Sequence, residues 1–220
     1  MNSLLRVPQG LAALCFAGIA IVPSARAASV CFLSADGHDG RPLWAFETGV
    51  SFLTENTIDE LLLGDASLAN GRAGGEVYSF TLSRRLGSFR LGFGAWDFHP
   101  ELELPLTLEV VDENGRDPFL DFNAALLVRW REFPWNGRVR TTFATGVGLS
   151  YSEHVYQVDI DRHPGEDRSH LKFHWPIQLT FALPDHPRHQ VMLYLTHQSG
   201  GHIFDEGGVN SVGFGYRFGF

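Results

Sequence analysis

Near the C-terminus, His197-Gln198-Ser199 puts an imidazole and a hydroxyl two residues apart. In an extended strand, positions i and i+2 share a face and lie about 6.5 to 7 Å apart along it, close enough for the imidazole to lean toward the hydroxyl. A serine beside a histidine is the core of an acyl-transfer catalyst, the imidazole taking the proton as the oxygen attacks a carbonyl. Such a pair needs a third, orienting group. If the strand after the Gly200 to Gly208 connection folds back antiparallel, Asn210 is the nearest candidate across the ladder, with Asp205 or Glu206 in the connection as alternatives.

The flanking pattern says where these side chains point. From Asn210 to the end, Val212, Phe214, Tyr216, Phe218 and Phe220 share one face, while Ser211, Gly213, Gly215, Arg217 and Gly219 share the other. The preceding strand alternates in the same way, Val191, Leu193 and Leu195 against Met192, Tyr194, Thr196 and Gln198. An aromatic-ended terminal strand backed by glycine and arginine suits an outer-membrane barrel, whose apolar face looks at lipid. His197 and Ser199 continue that apolar face, where an idle side chain should be apolar. Polar residues where a strand leaves the bilayer are the bland alternative, since substitution there costs only about 0 to 1 kcal/mol.

These residues resemble the PagL-type lipid A 3-O-deacylases, also called acyloxyacyl hydrolases. That family carries His-x-Ser in the penultimate strand of an eight-stranded outer-membrane barrel, then a Gly/Asn-rich loop and a final strand. The likeness covers roughly the last 30 residues. It implies Ser199 as nucleophile and His197 as general base, acting on lipopolysaccharide without a cofactor. Two positions depart from the family pattern: its third member is typically glutamate, where this chain has Asn210, and asparagine usually follows the serine, where this chain has Gly200. An amide can hold an imidazole tautomer but brings no full charge to an imidazolium. With Gly200 in that place, the oxyanion hole would rest on backbone N–H groups, Gly200 and Gly201 being the candidates.

Residues 1–27 read as an export signal: Arg6, an apolar run from Leu11 to Val22, and Ala25-Arg26-Ala27 as an A-x-A cleavage site, leaving 28–220 as one barrel domain. Leu14 stands before Cys15 where a lipoprotein site needs a small residue. The mature chain keeps one cysteine, Cys31, so no internal disulfide is expected. Removing Arg6 and Arg26 takes the 17 basic residues to 15 against 25 acidic, a formal charge of -10, which argues against nucleic acid as a partner.

Alternation predicts strands over 43–53, 75–85, 88–98, 119–131, 138–151, 170–183 and the final pair, with a tight turn at Gly87. Residues 101–111 also alternate. Counting them separately gives nine strands, so they are read as a projecting extension of the third, with Pro100 breaking the ladder and Asn114-Gly115 turning the tip. Asp112 to Asp117 is then a turn and not a calcium loop, and the scattered histidines lack zinc spacing. Long connections (54–74, 99–118, 152–169, 200–208) alternate with short ones (86–87, 132–137, 184–187). Such barrels turn tightly in the periplasm and loop outside, so His197, Ser199 and Asn210 fall at the outer leaflet, where lipopolysaccharide lies. Trp44, Trp130 and Trp135 then mark the periplasmic interface and Trp96 the outer one. The expectation is an all-β, eight-stranded antiparallel transmembrane barrel that hydrolyses an acyl ester of lipid A. The rivals are a non-catalytic barrel whose loops bind lipopolysaccharide or a partner, and an esterase acting on phospholipid.

Overall fold

Strands with Glu, Arg, Gln and Thr on one face and Phe, Leu and Val on the other cannot bury both faces in one core. Closing the sheet on itself shelters the polar face in a lumen and turns the apolar face outward. A computed structural model of the chain, describing residues 15–16, 29–35, 40–93, 96–162 and 164–220, has this architecture. After two short strands, β1 (Cys15–Phe16) and β2 (Ser29–Ser34), come β3 (Trp44–Thr54), β4 (Gly75–Phe93), β5 (Trp96–Phe98), β6 (Glu101–Glu113) and β7 (Phe119–Trp130). β8 (Arg140–Ser152), β9 (Leu171–Ala182), β10 (His189–Ser199) and β11 (Gly208–Gly219) complete the sheet. β3, β4 and β6 to β11 pair antiparallel in turn, and β11 pairs with β3, so eight strands close a barrel. Residues 1–27, read as an export segment, lie outside the described residues except for β1.

Inward positions are polar: Glu47, Thr81, Glu103, Asn123, Arg129, Gln178, Thr180 and Arg217 are buried. Their charges are matched. Arg129 lies 3.0 Å from Glu103 and donates to Thr142 Oγ1 at 2.9 Å and Gln178 Oε1 at 2.7 Å, while Arg217 bridges Glu47 and Glu103. Outward positions are exposed and apolar, among them Phe46, Phe80, Leu108, Phe122, Leu126, Val147, Leu193 and Phe214. That is the lipid-facing surface of a membrane-spanning barrel, whose closed sheet leaves no free strand edge toward lipid.

The eight-strand count agrees with the alternation, but the path through residues 85–113 differs. Gly87 does not turn the chain; β4 runs through it with a register shift between Arg85 and Gly87. The chain turns between β4 and β5 instead, and Glu101–Glu113 is the third barrel strand itself, paired with Gly75–Ser88 on one side and β7 on the other. Its Glu101, Glu103, Glu109 and Glu113 blur the pattern only because they are lumen residues. Pro105 falls within the strand, and the β6–β7 ladder skips Leu104 and Pro105, since proline has no N–H to give. Beyond the barrel wall, the end of β4 pairs with β2 and β5. Trp96 therefore lies at the same end as Trp44 and Trp130, not at the opposite one; Phe98, two residues on, packs 5.1 Å from the Trp130 ring.

The other end carries the longer connections. Residues 55–74 hold α1 (Ile58–Leu62), and residues 153–170 hold α2 (Gln157–Arg162). Tyr156 and Val158 close over Leu53, Val77, Val111, Phe119 and Val209, an apolar plug that seals the lumen beneath these loops. The connection at 114–118 is short, five residues instead of the expected 99–118 loop.

Candidate active site

β10 and β11 meet in full register, with His197 opposite Asn210 and Ser199 opposite Gly208. On the other side His197 faces Trp175 and Ser199 faces Phe173. His197 and Ser199 are half-buried on the outer wall at the looped end of the barrel. Asn210 shares their face yet is buried, because the chain leaving β3 crosses it: Asn210 Nδ2 donates to the Asn56 carbonyl at 2.7 Å, and Thr54 Oγ1 donates to the Asn210 carbonyl at 3.3 Å.

His197 Nδ1 and Asn210 Oδ1 are 2.6 Å apart. The network fixes who donates. A carbonyl only accepts, so the Asn210 group facing Asn56 must be its NH2, which leaves the amide oxygen toward His197. Nδ1 must then carry the hydrogen, and the lone pair sits on Nε2. This is the tautomer that a general base for Ser199 requires. Among the described residues the Ser199 hydroxyl makes no hydrogen bond, and the Trp175 ring stands edge-on to the imidazole at 6.2 Å, held by its Nε1 donating to Thr145 Oγ1 at 2.8 Å.

The loop after Ser199 is pinned from inside the barrel. Lys172, buried in the lumen, lies 2.8 Å from Asp159 Oδ2 and 2.7 Å from Asp205 Oδ2. Asp205 also accepts the Ser169 N–H at 2.7 Å and the Gly207 N–H at 2.9 Å, and Asp159 accepts the Gly208 N–H at 3.1 Å. Burial alone would push the Asp205 carboxyl up; Lys172 and the two amides outweigh it and hold it below the ordinary carboxylate value. A Cβ at Gly200 would stand 2.0 Å from Asp205 Oδ1, and one at Gly201, whose φ is +59°, would stand 2.8 Å from the Phe173 ring. Both positions need glycine.

The structure thus brings His197, Ser199 and Asn210 onto one patch and keeps the loop acids away from it. Glu206 is exposed and 3.7 Å from His202, and Asp205 belongs to Lys172. Of the two glycines considered as oxyanion donors, Gly200 spends its N–H on the Gly207 carbonyl at 2.9 Å, while the Gly201 N–H has no partner among the described residues. Sequence reasoning missed Arg162 and Asn56. Arg162 Nη1 donates to the Gly208 carbonyl at 3.3 Å, and its Nη2 to the Thr54 and Asn56 carbonyls at 3.2 Å each. Nothing in the spacing of Arg162, on a short helix 35 residues before His197, connects it to the motif. Trp175 was detectable as an aromatic on the outward face of β9.

The arrangement leaves the His197 Nε2 lone pair and the Ser199 hydroxyl on one half-buried stretch of the apolar wall. No protein-family model and no curated protein matches the sequence. Among solved structures, the crystal structure of the outer membrane enzyme PagL is similar, with a TM-score of 0.50 and 12% identity over 80% of this chain and 99% of that one. At this identity the likeness is one of fold, and the chain has the closed eight-stranded antiparallel architecture of that outer-membrane barrel.

Proposed function

We propose that the protein is an outer-membrane serine esterase, exported with removal of residues 1–27, that cleaves an ester-linked acyl chain from lipid A. The 3-O position is the one implied by the resemblance to the PagL-type family. The observation that carries the proposal is the 2.6 Å contact of His197 Nδ1 with Asn210 Oδ1, on a lipid-facing wall two residues from Ser199. His197 Nε2 takes the Ser199 proton as Oγ bonds to the acyl carbon. The ester C–O bond then breaks, and the sugar oxygen leaves with the proton from His197. Water, activated by the same nitrogen, releases the fatty acid and restores Ser199. The Gly201 N–H is the candidate donor to the developing oxyanion. Because the site opens on the wall, an amphiphile already in the leaflet reaches it without leaving the membrane.

One observation favours a non-catalytic barrel instead: the third position is an amide, which orients the imidazole but adds no charge when it becomes imidazolium. Asn210→Glu separates the two readings. Purified folded barrel is incubated with lipid A in mixed micelles and the released fatty acid is measured. Release by the native protein and none by Ser199→Ala supports the esterase; release from phosphatidylethanolamine micelles alone moves the substrate to phospholipid. No release from either lipid by native protein or by Asn210→Glu supports the binding reading.

A further inference from the structure

At the end of the barrel away from His197, the lumen opens into a cavity of about 340 Å³ ringed by Arg41, Arg85, Arg131, Arg140, Arg188 and Arg217. Six guanidiniums around one cavity are unexpected in a protein whose net formal charge is -8. Some are committed to structure: Arg217 bridges Glu47 and Glu103, Arg131 pairs with Glu101, and Arg41 lies 3.0 Å from the same carboxylate. Glu132, the acid on the lining among the described residues, hydrogen-bonds His99. Arg140 and Arg188 are different. Both are exposed at the rim, the first at the start of β8 and the second just before β10, and neither has an acidic partner among the described residues.

We infer that this mouth is a binding site for a small phosphate-bearing anion, with Arg140 and Arg188 as the arms that grip it and the paired arginines behind them as a fixed positive floor. The guanidinium fork matches phosphate oxygens two at a time, and converging forks suit a tetrahedral oxyanion better than a single carboxylate. The volume fits a phosphorylated headgroup or sugar. Walls of barrel strand around the cavity lower the local dielectric and strengthen the attraction over that of an open surface. Trp44 lines the cavity, and Trp130 lies at the same end, which puts the mouth at the depth where such side chains meet lipid headgroups. The phosphate source is therefore either a soluble anion or the headgroup of an anionic phospholipid. The inference is independent of the esterase reading.

The test has two arms. The folded full chain in non-ionic detergent is titrated calorimetrically with inorganic pyrophosphate, and the same protein in phosphatidylglycerol nanodiscs is washed with detergent and assayed for retained phosphatidylglycerol. Each is repeated with the double variant Arg140→Gln/Arg188→Gln and with Arg72→Gln, a charge control at the other end of the barrel. Pyrophosphate binding that weakens about tenfold or more in the double variant, falls with added salt and is unchanged in Arg72→Gln assigns a soluble anion. Lipid retention lost only in the double variant assigns the headgroup. Heat-modifiable migration on gels verifies folding; should the double variant not fold, Arg188→Gln alone replaces it and must weaken binding severalfold. Absence of both signals in the native protein, or signals that the variants leave unchanged, overturns the inference.

Discussion

Because Asn210 can only donate to the Asn56 carbonyl, its oxygen is committed to His197, and the imidazole is held with its lone pair on Nε2 before any substrate arrives. Orientation is thus supplied by an amide locked from its far side. What it lacks is charge. Asn210→Glu, judged by ester hydrolysis, is expected to raise kcat by about tenfold or more, while Asn210→Ala lowers it by about 10²-fold because both tautomers become accessible. Glu206→Gln is expected to change neither kcat nor KM, since Glu206 is exposed beside His202; a large loss there would return the third role to the loop. The pair His197 and Ser199, and the asparagine across from it, were legible in the sequence because period two and one antiparallel turn suffice to bring them together. Asn56 and Arg162 were not. They reach the patch only through closure of β11 on β3 and the fold of the loop at 153–170, which no local spacing encodes.

Among the elements, the connection from Ser199 to Gly208 depends on residues that never face the lipid. Lys172 on β9 draws Asp205 and Asp159 together, and these two carboxylates take the Gly207 and Gly208 amides, so a lumen cation sets the geometry of the loop carrying Gly201. Lys172→Met is expected to leave the barrel folded and substrate binding little changed but to lower kcat, read as a kcat against KM split, and to raise proteolysis within 200–207. The Asp205 carboxyl titrates below its ordinary value when folded, so its contribution to loop order is fully present above about pH 4 and fades as pH falls through the depressed value. Amide hydrogen exchange at Gly207, corrected for intrinsic rate, should rise in that acidic window and stay flat above it. Strand alternation made most of the wall readable, including β3, β9, β10 and β11. It failed between residues 85 and 113 for two physical reasons. A glycine within a continuous strand has the same composition as a turn, and a strand whose inward face is four glutamates looks like a loop until their partners are found: arginines at Glu101, Glu103 and Glu113, and the Asn123 amide at Glu109.

For the whole molecule, a closed sheet divides the labour. The outer face meets lipid, the lumen is filled by polar side chains with matched charges around Arg129 and Arg217, and the two ends differ, one sealed by an apolar plug under loops and the other lined with guanidiniums. The matched charges make stability depend on completeness. Arg129, with no exposed surface, satisfies Glu103, Thr142 and Gln178 at once, and Arg129→Met is expected to cost about 1 to 3 kcal/mol by removing these three buried hydrogen bonds, Glu103 keeping Arg217 as its cation. Urea titration of the barrel refolded in phosphatidylcholine vesicles measures this, and Ser199→Ala on the half-exposed wall should stay within about 0.5 kcal/mol in the same assay. The proposed chemistry is removal of an acyl chain from lipid A by the wall-mounted pair His197 and Ser199. It is tested most directly by mass spectrometry of lipid A from cells expressing the native chain beside cells expressing Ser199→Ala at equal levels of folded, heat-modifiable barrel. Lipid A lighter by one hydroxyacyl chain is expected with the native serine, and unaltered lipid A with alanine. Unaltered lipid A in both, or the same loss in both, would contradict that chemistry.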